Sequence, residues 1–481
     1  MTHSPRKIAV VGGGIAGLAT AHFLLERSRQ AGVELDVRLF EREQRLGGHI
    51  ATSREEGFLI EGGPDCFVSQ KPWGLRLASE LGLERAVTGT RTMGGGKTYV
   101  LKGGVPHALP DGVMLMVPTK FMPLARTHLL SWPGKLRMGL DLVLPRGGTA
   151  DETLGDFVRR RLGEEALERI AEPLVAGVHA GDPDRLSLMS TFPRFKTMED
   201  EHRSLVLAML SARRKTRSKP AAARSAFVTL QPGLDQFIIA LEEVMPRGTV
   251  RRAAVVQSLE PTAAGGPPYT LGYSSPETGD GASQEAFDEV VLAVPAFAAA
   301  GLLRGLVPYA ATELEQIEFV DAATVSLGFA RADVAHPLVG FGLVIPRSEG
   351  RQIMGITWSS SKFPGRAPEG HVLVRAFVGG TKAPELLRED DESLLAAVER
   401  EVTGLLGARN PVVKRLYRWG QAMPQYNVGH RQRVESVERR LEAVPGVHLA
   451  GGSYWGIGIP DCIASADRAA SAILGSAVAS Q

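Results

Sequence analysis

The chain has 481 residues, 44% of them hydrophobic, and a formal net charge of +2. That length supports more than one hydrophobic core, so two or three lobes are expected, and a charge so near zero gives no electrostatic case for nucleic acid as a partner. The two cysteines, Cys66 and Cys462, stand far apart and outside any metal-ligand spacing, so no metal site is expected and both read as reduced thiols of a cytoplasmic protein.

The first apolar run is cut by glycines too early for a secretory segment. No stretch reaches about 18 uninterrupted apolar residues, so no transmembrane segment is expected. Ile8 to Val11 is a short β-branched run suited to a strand buried on both faces. Gly12-Gly13-Gly14-Ile15-Ala16-Gly17 follows, then an apolar stripe at helical spacing from Leu18 to Arg29, then a second strand over Leu35 to Phe40 that ends at Glu41. This is a βαβ unit. Gly12 permits the tight turn, Gly14 lets the backbone approach a pyrophosphate, and Gly17 lets the helix pack on the strand. The phosphates then sit at the helix N-terminus. Glu41 can accept hydrogen bonds from ribose hydroxyls and would repel a 2′-phosphate. An ordinary Gly-rich turn is the competing reading; the flanking strand, helix and acidic residue favour a dinucleotide. Arg45-Leu46-Gly47-Gly48-His49 reads as backbone passing close under that dinucleotide, and Gly62-Gly63-Pro64-Asp65 as backbone approaching its flavin side, which selects FAD over NAD. Singly, each is only a turn signal.

Residues 115–212 read as mostly helical, with Thr153 to Arg161 and Glu164 to Ile170 the clearest cases. Within them, Pro118 to Leu144 carries apolar residues broken by Lys120, Arg126, Lys135 and Arg137; a wall of the substrate cavity is expected there in preference to a peripheral membrane helix. Residues 213–226 lack apolar periodicity and aromatics and read as a mobile basic loop, not a nucleic-acid patch. Residues 261–284 read as a surface hairpin loop. Glu289 to Val294, closed by Pro295, and Val447 to Ala450, closed by Gly451-Gly452 and followed by a helical run over Ile463 to Leu474, read as returns to the first sheet.

Five further stretches carry a family likeness: Glu172-Pro173-Leu174-Val175-Ala176-Gly177-Val178-His179-Ala180-Gly181-Asp182, Leu186-Ser187-Leu188-Met189-Ser190-Thr191-Phe192-Pro193, His202-Arg203-Ser204-Leu205, Met423-Pro424-Gln425-Tyr426-Asn427-Val428-Gly429-His430 and Gly456-Ile457-Gly458-Ile459-Pro460-Asp461-Cys462-Ile463. With the N-terminal motifs, the chain resembles the amine oxidase and porphyrinogen oxidase superfamily of flavoproteins. It resembles most the bacterial branch that oxidises coproporphyrinogen III, and less closely the protoporphyrinogen IX oxidases. The resemblance implies an α/β + α fold: a Rossmann-like FAD domain of the p-hydroxybenzoate hydroxylase type, a mixed α/β substrate domain and a helical lobe. The expected division is 1–65, 227–300 and 440–481 for the FAD domain, 66–95 and 301–439 for the substrate domain, and 96–226 for the helical lobe.

By position, the resemblance implies flavin contacts at Gly12 to Gly17, Glu41, Arg42, Gly47, Gly48, His49, Gly63, Pro64, Asp65, Cys66, Val256, Trp419, Ile457, Gly458 and Ile459. The substrate would meet Lys71, Gly177, Phe341, Gly342, Val344 and Phe377. FAD is expected to be non-covalent, since no cysteine stands before residue 460 where covalent relatives attach it. The flavin itself is the hydride acceptor, so no protein nucleophile is required; His179 is the candidate base, with a hydrogen-bonded structural histidine as the competing reading. Copro-type members tend to have tyrosine at His179. Lys71 is matched in the copro branch, its competing reading being a solvated surface lysine, and Thr98, near the start of a strand over Lys97 to Leu101, stands where protoporphyrinogen enzymes often have arginine. The implied activity is oxidation of coproporphyrinogen III in heme biosynthesis with molecular oxygen as acceptor, giving hydrogen peroxide, and a ferrochelatase is a candidate partner. The alternatives are a protoporphyrinogen IX oxidase, another amine-oxidase-like flavoenzyme, and a non-catalytic porphyrin carrier.

Overall fold

The computed structural model of the chain describes residues 5–91, 96–110, 113–114, 117–118, 121–148, 151–216, 225–262, 266–276 and 281–479. Strand β1 (Arg6–Val11) runs into helix α1 (Ile15–Ala31), which leads to strand β2 (Leu35–Phe40). Ile8, Ala9 and Val10 are wholly buried, as a strand covered on both faces requires. α1 starts earlier than its apolar stripe because the extended Gly14 is its N-cap, and it ends where Gly32 turns left-handed at φ 68° and donates to the carbonyls of Arg29 and Ser28.

β1 pairs in parallel with β2 and with Glu289–Leu292; Val250–Arg251 extends the sheet beyond β2, and Val447–Leu449 extends it on the other side. Both expected returns are therefore in this sheet, each a little shorter than read. The C-terminal helix Ile459–Ala479 begins before the expected Ile463. Its Ile463, Ala466, Ala470 and Ile473 are buried in one core with Leu18, Ala21 and Leu24 of α1.

A second sheet has the strand order Val413–Pro424, Phe319–Ala330, His371–Gly379, Ile353–Thr357, Gly342–Val344, Thr98–Lys102, Val105–Ala108. Only the pairing of Gly342–Val344 with Thr98–Lys102 is parallel. One face is apolar: Val325, Ile356 and Ala376 pack against Val398 and Val402 of helix Asp391–Leu406. The opposite face presents Thr324 beside Phe377 and Ser326 beside Arg375.

Helices between Phe121 and Thr216 surround Phe157, Ile170, Phe195 and Leu205. At their centre the wholly buried Arg161 pairs with Asp141 and donates to the Arg203 carbonyl, while Asp141 accepts from the Ser204 hydroxyl at 2.5 Å and the Val206 amide at 3.0 Å. The His202-Arg203-Ser204-Leu205 stretch is thus a structural clasp around a buried charge that could not stand unpaired.

Several expectations shift. Thr98–Lys102 and Val105–Ala108, counted with the helical lobe, are the edge of the second sheet. Phe67, Leu77 and Ala78, counted with the substrate domain, share the core of α1 and the C-terminal helix, and Phe67–Val68 pairs with Phe227–Leu230. The loop expected over 261–284 contains the strand Tyr269–Ser274, sandwiched between Val255–Pro261 and Ser283–Phe287; residues 263–265 and 277–280 lie outside the described residues. The basic loop expected over 213–226 is helix as far as Thr216, and 217–224 lie outside the described residues. Within the stretch Pro118 to Leu144, Leu129, Leu130 and Met138 are buried, while Trp132, Leu136 and Val143 are about two-thirds exposed (66%, 72% and 69%). Among the described residues no helix is long and apolar enough to cross a membrane.

Candidate cofactor and substrate site

The glycine turn is held by backbone bonds that leave no room for side chains. Gly12, at φ 109°, donates to the Phe40 carbonyl at 2.8 Å, and a Cβ on it would come 2.5 Å from the Ala293 carbonyl. A Cβ on Gly17 would overlap the Gly12 carbonyl. Gly14 is different: nothing lies within 4 Å of the side chain it lacks, and no side chain caps α1 there. An open cradle at an uncapped helix N-terminus fits an anionic pyrophosphate. The buried Glu41 accepts from the amides of Gly13 (2.7 Å) and Glu43 (2.8 Å), which fixes the carboxylate at the end of β2 with further lone pairs free. Arg42, beside it, is exposed and pairs with Glu43 at 3.3 Å. Arg251 accepts the Glu41 amide and Ala254 donates to the Glu41 carbonyl, which brings Val256 to the same edge. Gly47 donates to the Gly13 carbonyl at 2.8 Å, and Gly48 lies against Gly14. Ile15, Ala16, Gly47 and Gly48 thus join the turn, as the sequence suggests.

The chain then doubles back. His49 lies over Gly63, where a Cβ would overlap the His49 carbonyl. The Gly62 carbonyl accepts from the Trp419 indole at 2.9 Å and from the Thr324 hydroxyl at 2.7 Å. Arg375 donates to the carbonyls of Glu61 and Gly63, both at 2.8 Å. Arg375, Phe377 and Thr324 share one face of the second sheet, so that face meets the 61–66 segment. Across the same sheet, Val344 pairs with Gly355 and Gly355 with Phe377, which puts two of the expected substrate residues in one row beside the segment expected to carry the flavin. Gly342 is buried with a carbonyl of Ile356 where its Cβ would stand; its lack of a side chain serves strand pairing, not ligand approach. Phe341 covers Gly96. Gly177 is exposed, and nothing lies within 4 Å of the side chain it lacks.

Sequence reasoning missed Lys362. Its ammonium bonds Asp65 at 3.0 Å and the Cys66 sulfur at 3.3 Å, and these groups are largely buried. Burial alone would raise the Asp65 carboxyl, but Lys362 and Arg375 beside it hold it well below the usual range. Burial, and then Asp65, push the Cys66 thiol up to about 12. Tyr426, inside a quoted motif but without an assigned role, donates to the Gly452 carbonyl at 2.7 Å and accepts the Gly456 amide at 2.9 Å. It fixes the turn that holds Ile457, Gly458 and Ile459. Lys71 reaches that turn as well: both oxygens of Asp461 hold its ammonium, at 2.6 and 2.7 Å. His179 is buried, pushed down to about 4 by burial and then by the Lys71 charge. Among the described residues no group of His, Cys, Asp and Glu could hold a metal ion.

Residues 15–474 match the family described as flavin containing amine oxidoreductase. A coproporphyrinogen III oxidase of Bacillus subtilis is 36% identical over 96% of this chain and 97% of its own. A chloroplastic protoporphyrinogen oxidase of Spinacia oleracea is 30% identical over 97% of this chain and 83% of its own. A crystal structure from Exiguobacterium sp. 255-15, provisionally assigned as a protoporphyrinogen oxidase, superposes with a TM-score of 0.83 at 31% identity, covering 98% of this chain and 99% of that one. The chain belongs to the flavin-containing amine oxidoreductase family and is an FAD-dependent oxidoreductase.

Proposed function

We propose that the protein oxidises coproporphyrinogen III to coproporphyrin III in heme biosynthesis. The observation that carries this reading is the junction of the Val344–Phe377 row with the Gly62-to-Asp65 segment, in a chain alike over nearly its whole length to a coproporphyrinogen III oxidase. A porphyrinogen becomes aromatic by losing six hydrogens, and bound FAD supplies a two-electron hydride acceptor, so three rounds are needed. Molecular oxygen is the acceptor that closes each round, giving hydrogen peroxide.

The residues divide the work. The α1 N-terminus at Gly14 and the Gly47-Gly48 turn take the pyrophosphate, Glu41 and Val256 the adenosine end, and His49, Gly63 to Cys66, Trp419 and Ile457 to Ile459 the flavin end. Phe341, Val344, Phe377 and Gly177 present apolar surface and bare backbone to a flat macrocycle, which also keeps water from the reacting carbons. Lys71 receives one propionate. His179, neutral at physiological pH, is available as an acceptor for a pyrrole proton. Cys66 is kept protonated by burial and Asp65 and is a poor nucleophile, which supports non-covalent flavin.

The lobes follow the p-hydroxybenzoate hydroxylase type: an FAD domain from 1–65, 227–300 and 440–481, a substrate domain and a helical lobe, with 98–108 joined to the substrate sheet and 66–91 packed on the FAD domain. The protein works in the cytoplasm and passes its product to a ferrochelatase.

Anaerobic mixing with coproporphyrinogen III tests the reading. We expect the flavin absorbance to bleach, and kcat/KM to exceed that for protoporphyrinogen IX by about tenfold. A preference for protoporphyrinogen IX would make the protein a protoporphyrinogen oxidase. No bleaching with either would leave a porphyrin carrier. Acid precipitation should release the flavin into the supernatant.

A further inference from the structure

We propose that Asp461 is a positioning residue. It holds the Lys71 ammonium through both of its carboxylate oxygens and leaves the exposed side of that ammonium to receive one propionate of the substrate. This rests on the reading of the substrate given above and assigns a role to Asp461 at its carboxylate corner.

The carboxylate of Asp461 is in place before Lys71 arrives. A Cβ on Gly456 would come within 2.5 Å of the Asp461 Cγ, and one on Gly458 within 3.1 Å of its Oδ2. The Asp461 amide donates to the Gly458 carbonyl at 2.9 Å. The spacing Gly456-Ile457-Gly458-Ile459-Pro460-Asp461 thus folds a carboxylate back onto its own turn, and two glycines make the room. Lys71, 390 positions away, comes from the N-cap of helix Pro72–Glu80 and binds both oxygens.

An ammonium has three donors. Asp461 takes two, and the lysine side chain is 50% exposed against 18% for the aspartate, so the open side belongs to Lys71. An ion pair this accessible adds little stability; what it fixes is the direction of a long, otherwise mobile side chain. Such a corner binds one carboxylate of the substrate with a charge-assisted donor.

The test is binding of the product, coproporphyrin III, to flavin-loaded protein, read by quenching of tryptophan fluorescence, together with KM for coproporphyrinogen III. Asp461→Asn should weaken product binding by about fivefold or more and raise KM more than it lowers kcat, even though it deletes a negative charge. In a Lys71→Ala background the same substitution should add less than about twofold, because Asp461 acts through Lys71. Were Asp461 only a counter-charge, its removal would tighten binding of a tetra-anion; tighter or unchanged binding overturns the proposal. If Asp461→Asn loses flavin or fold, Lys71→Met decides: about fivefold weaker binding is expected, and unchanged binding overturns the proposal. A wild-type enzyme without activity on coproporphyrinogen III would sink the functional reading, whereas the product-binding cycle needs no turnover and judges the corner separately.

Discussion

Gly14 and Gly17 differ in what surrounds the side chain each lacks. A Cβ on Gly17 meets the Gly12 carbonyl, backbone that cannot yield, so Gly17→Ala should cost roughly 1–3 kcal/mol and lower the urea midpoint of the apoprotein. Gly14 faces open space. Gly14→Ala should leave the apoprotein midpoint unchanged and weaken FAD, read as flavin fluorescence released on dilution; equal effects in both assays would show that the space at Gly14 is not the cofactor's. The histidines carry a pH signature. His179 and His430 are both pushed down to about 4, by burial first. An unfolded histidine titrates near 6.5, so between pH 6.5 and 4 the unfolded chain binds protons that the folded chain refuses. Their contribution is full above that window and is lost as pH falls through it, at most ~3 kcal/mol for each. His430→Phe keeps the stack on Tyr426, whose ring centroid lies 3.9 Å away, and removes one titration. Its urea midpoint should fall less steeply from pH 7 to pH 5 than that of the wild type.

The turn from Gly452 to Asp461 depends on one hydroxyl. Tyr426 serves it as donor and acceptor at once. Tyr426→Phe leaves a half-buried amide and carbonyl unpaired, at roughly 1 kcal/mol, and should lower the melting temperature and speed FAD release together. A lower melting temperature with unaltered FAD release would separate this turn from the cofactor. What could be read beforehand follows from the range of the forces. The βαβ unit is local: Gly12 to Gly17, the stripe of α1 and Glu41 signal it within forty-odd residues. The two sheet returns are legible because each sets apolar residues before a stop: Val290, Val291 and Leu292 before Pro295, and Val447, Leu449 and Ala450 before Gly451-Gly452. Of the Thr98-to-Ala108 hairpin the first strand is read, over Lys97 to Leu101, but it is counted with the helical lobe, and its partner Val105–Ala108 goes unread although Gly103-Gly104 marks the turn. Tyr269–Ser274 was missed because proline and glycine on either side outweighed a strand of only six residues. Lys362 and Asp461 could not be found by pattern at all: their partners lie 297 and 390 positions away, and charged side chains paired across a fold leave no periodicity.

The contact between the second sheet and the 61–66 segment adds two charged groups to the neutral hydrogen bonds at Gly62. Arg375 crosses from the sheet to the carbonyls of Glu61 and Gly63, and Lys362 crosses to Asp65. The side chains of Lys362 and Asp65 are 13% and 15% exposed, so neither can rely on water if its partner is lost. Breaking such a pair from one side costs about 3–5 kcal/mol, whereas replacing both partners by neutral groups can be nearly free. Lys362→Met should therefore destabilise the protein strongly at pH 7, and Lys362→Met with Asp65→Asn should recover most of the loss. The pH dependence has a definite sign. Asp65 titrates lower in the folded protein than in the unfolded chain, where about 3.9 is expected. Its contribution is therefore present above roughly pH 4 and is lost as the pH drops below that. In Lys362→Met the carboxyl loses the first charge that holds it down while burial still pushes it up, so the loss of stability should extend to higher pH than in the wild type. Urea unfolding of apoprotein and flavin-loaded protein between pH 3 and 8 checks this. Because the pair joins helix Ser359–Lys362, which packs on the strand that carries Phe377, to the segment expected to carry the flavin, the single variant should also lose FAD affinity, and the double variant should regain it. If the double variant regains stability but not FAD binding, Asp65 itself, and not the junction it closes, is what the cofactor needs.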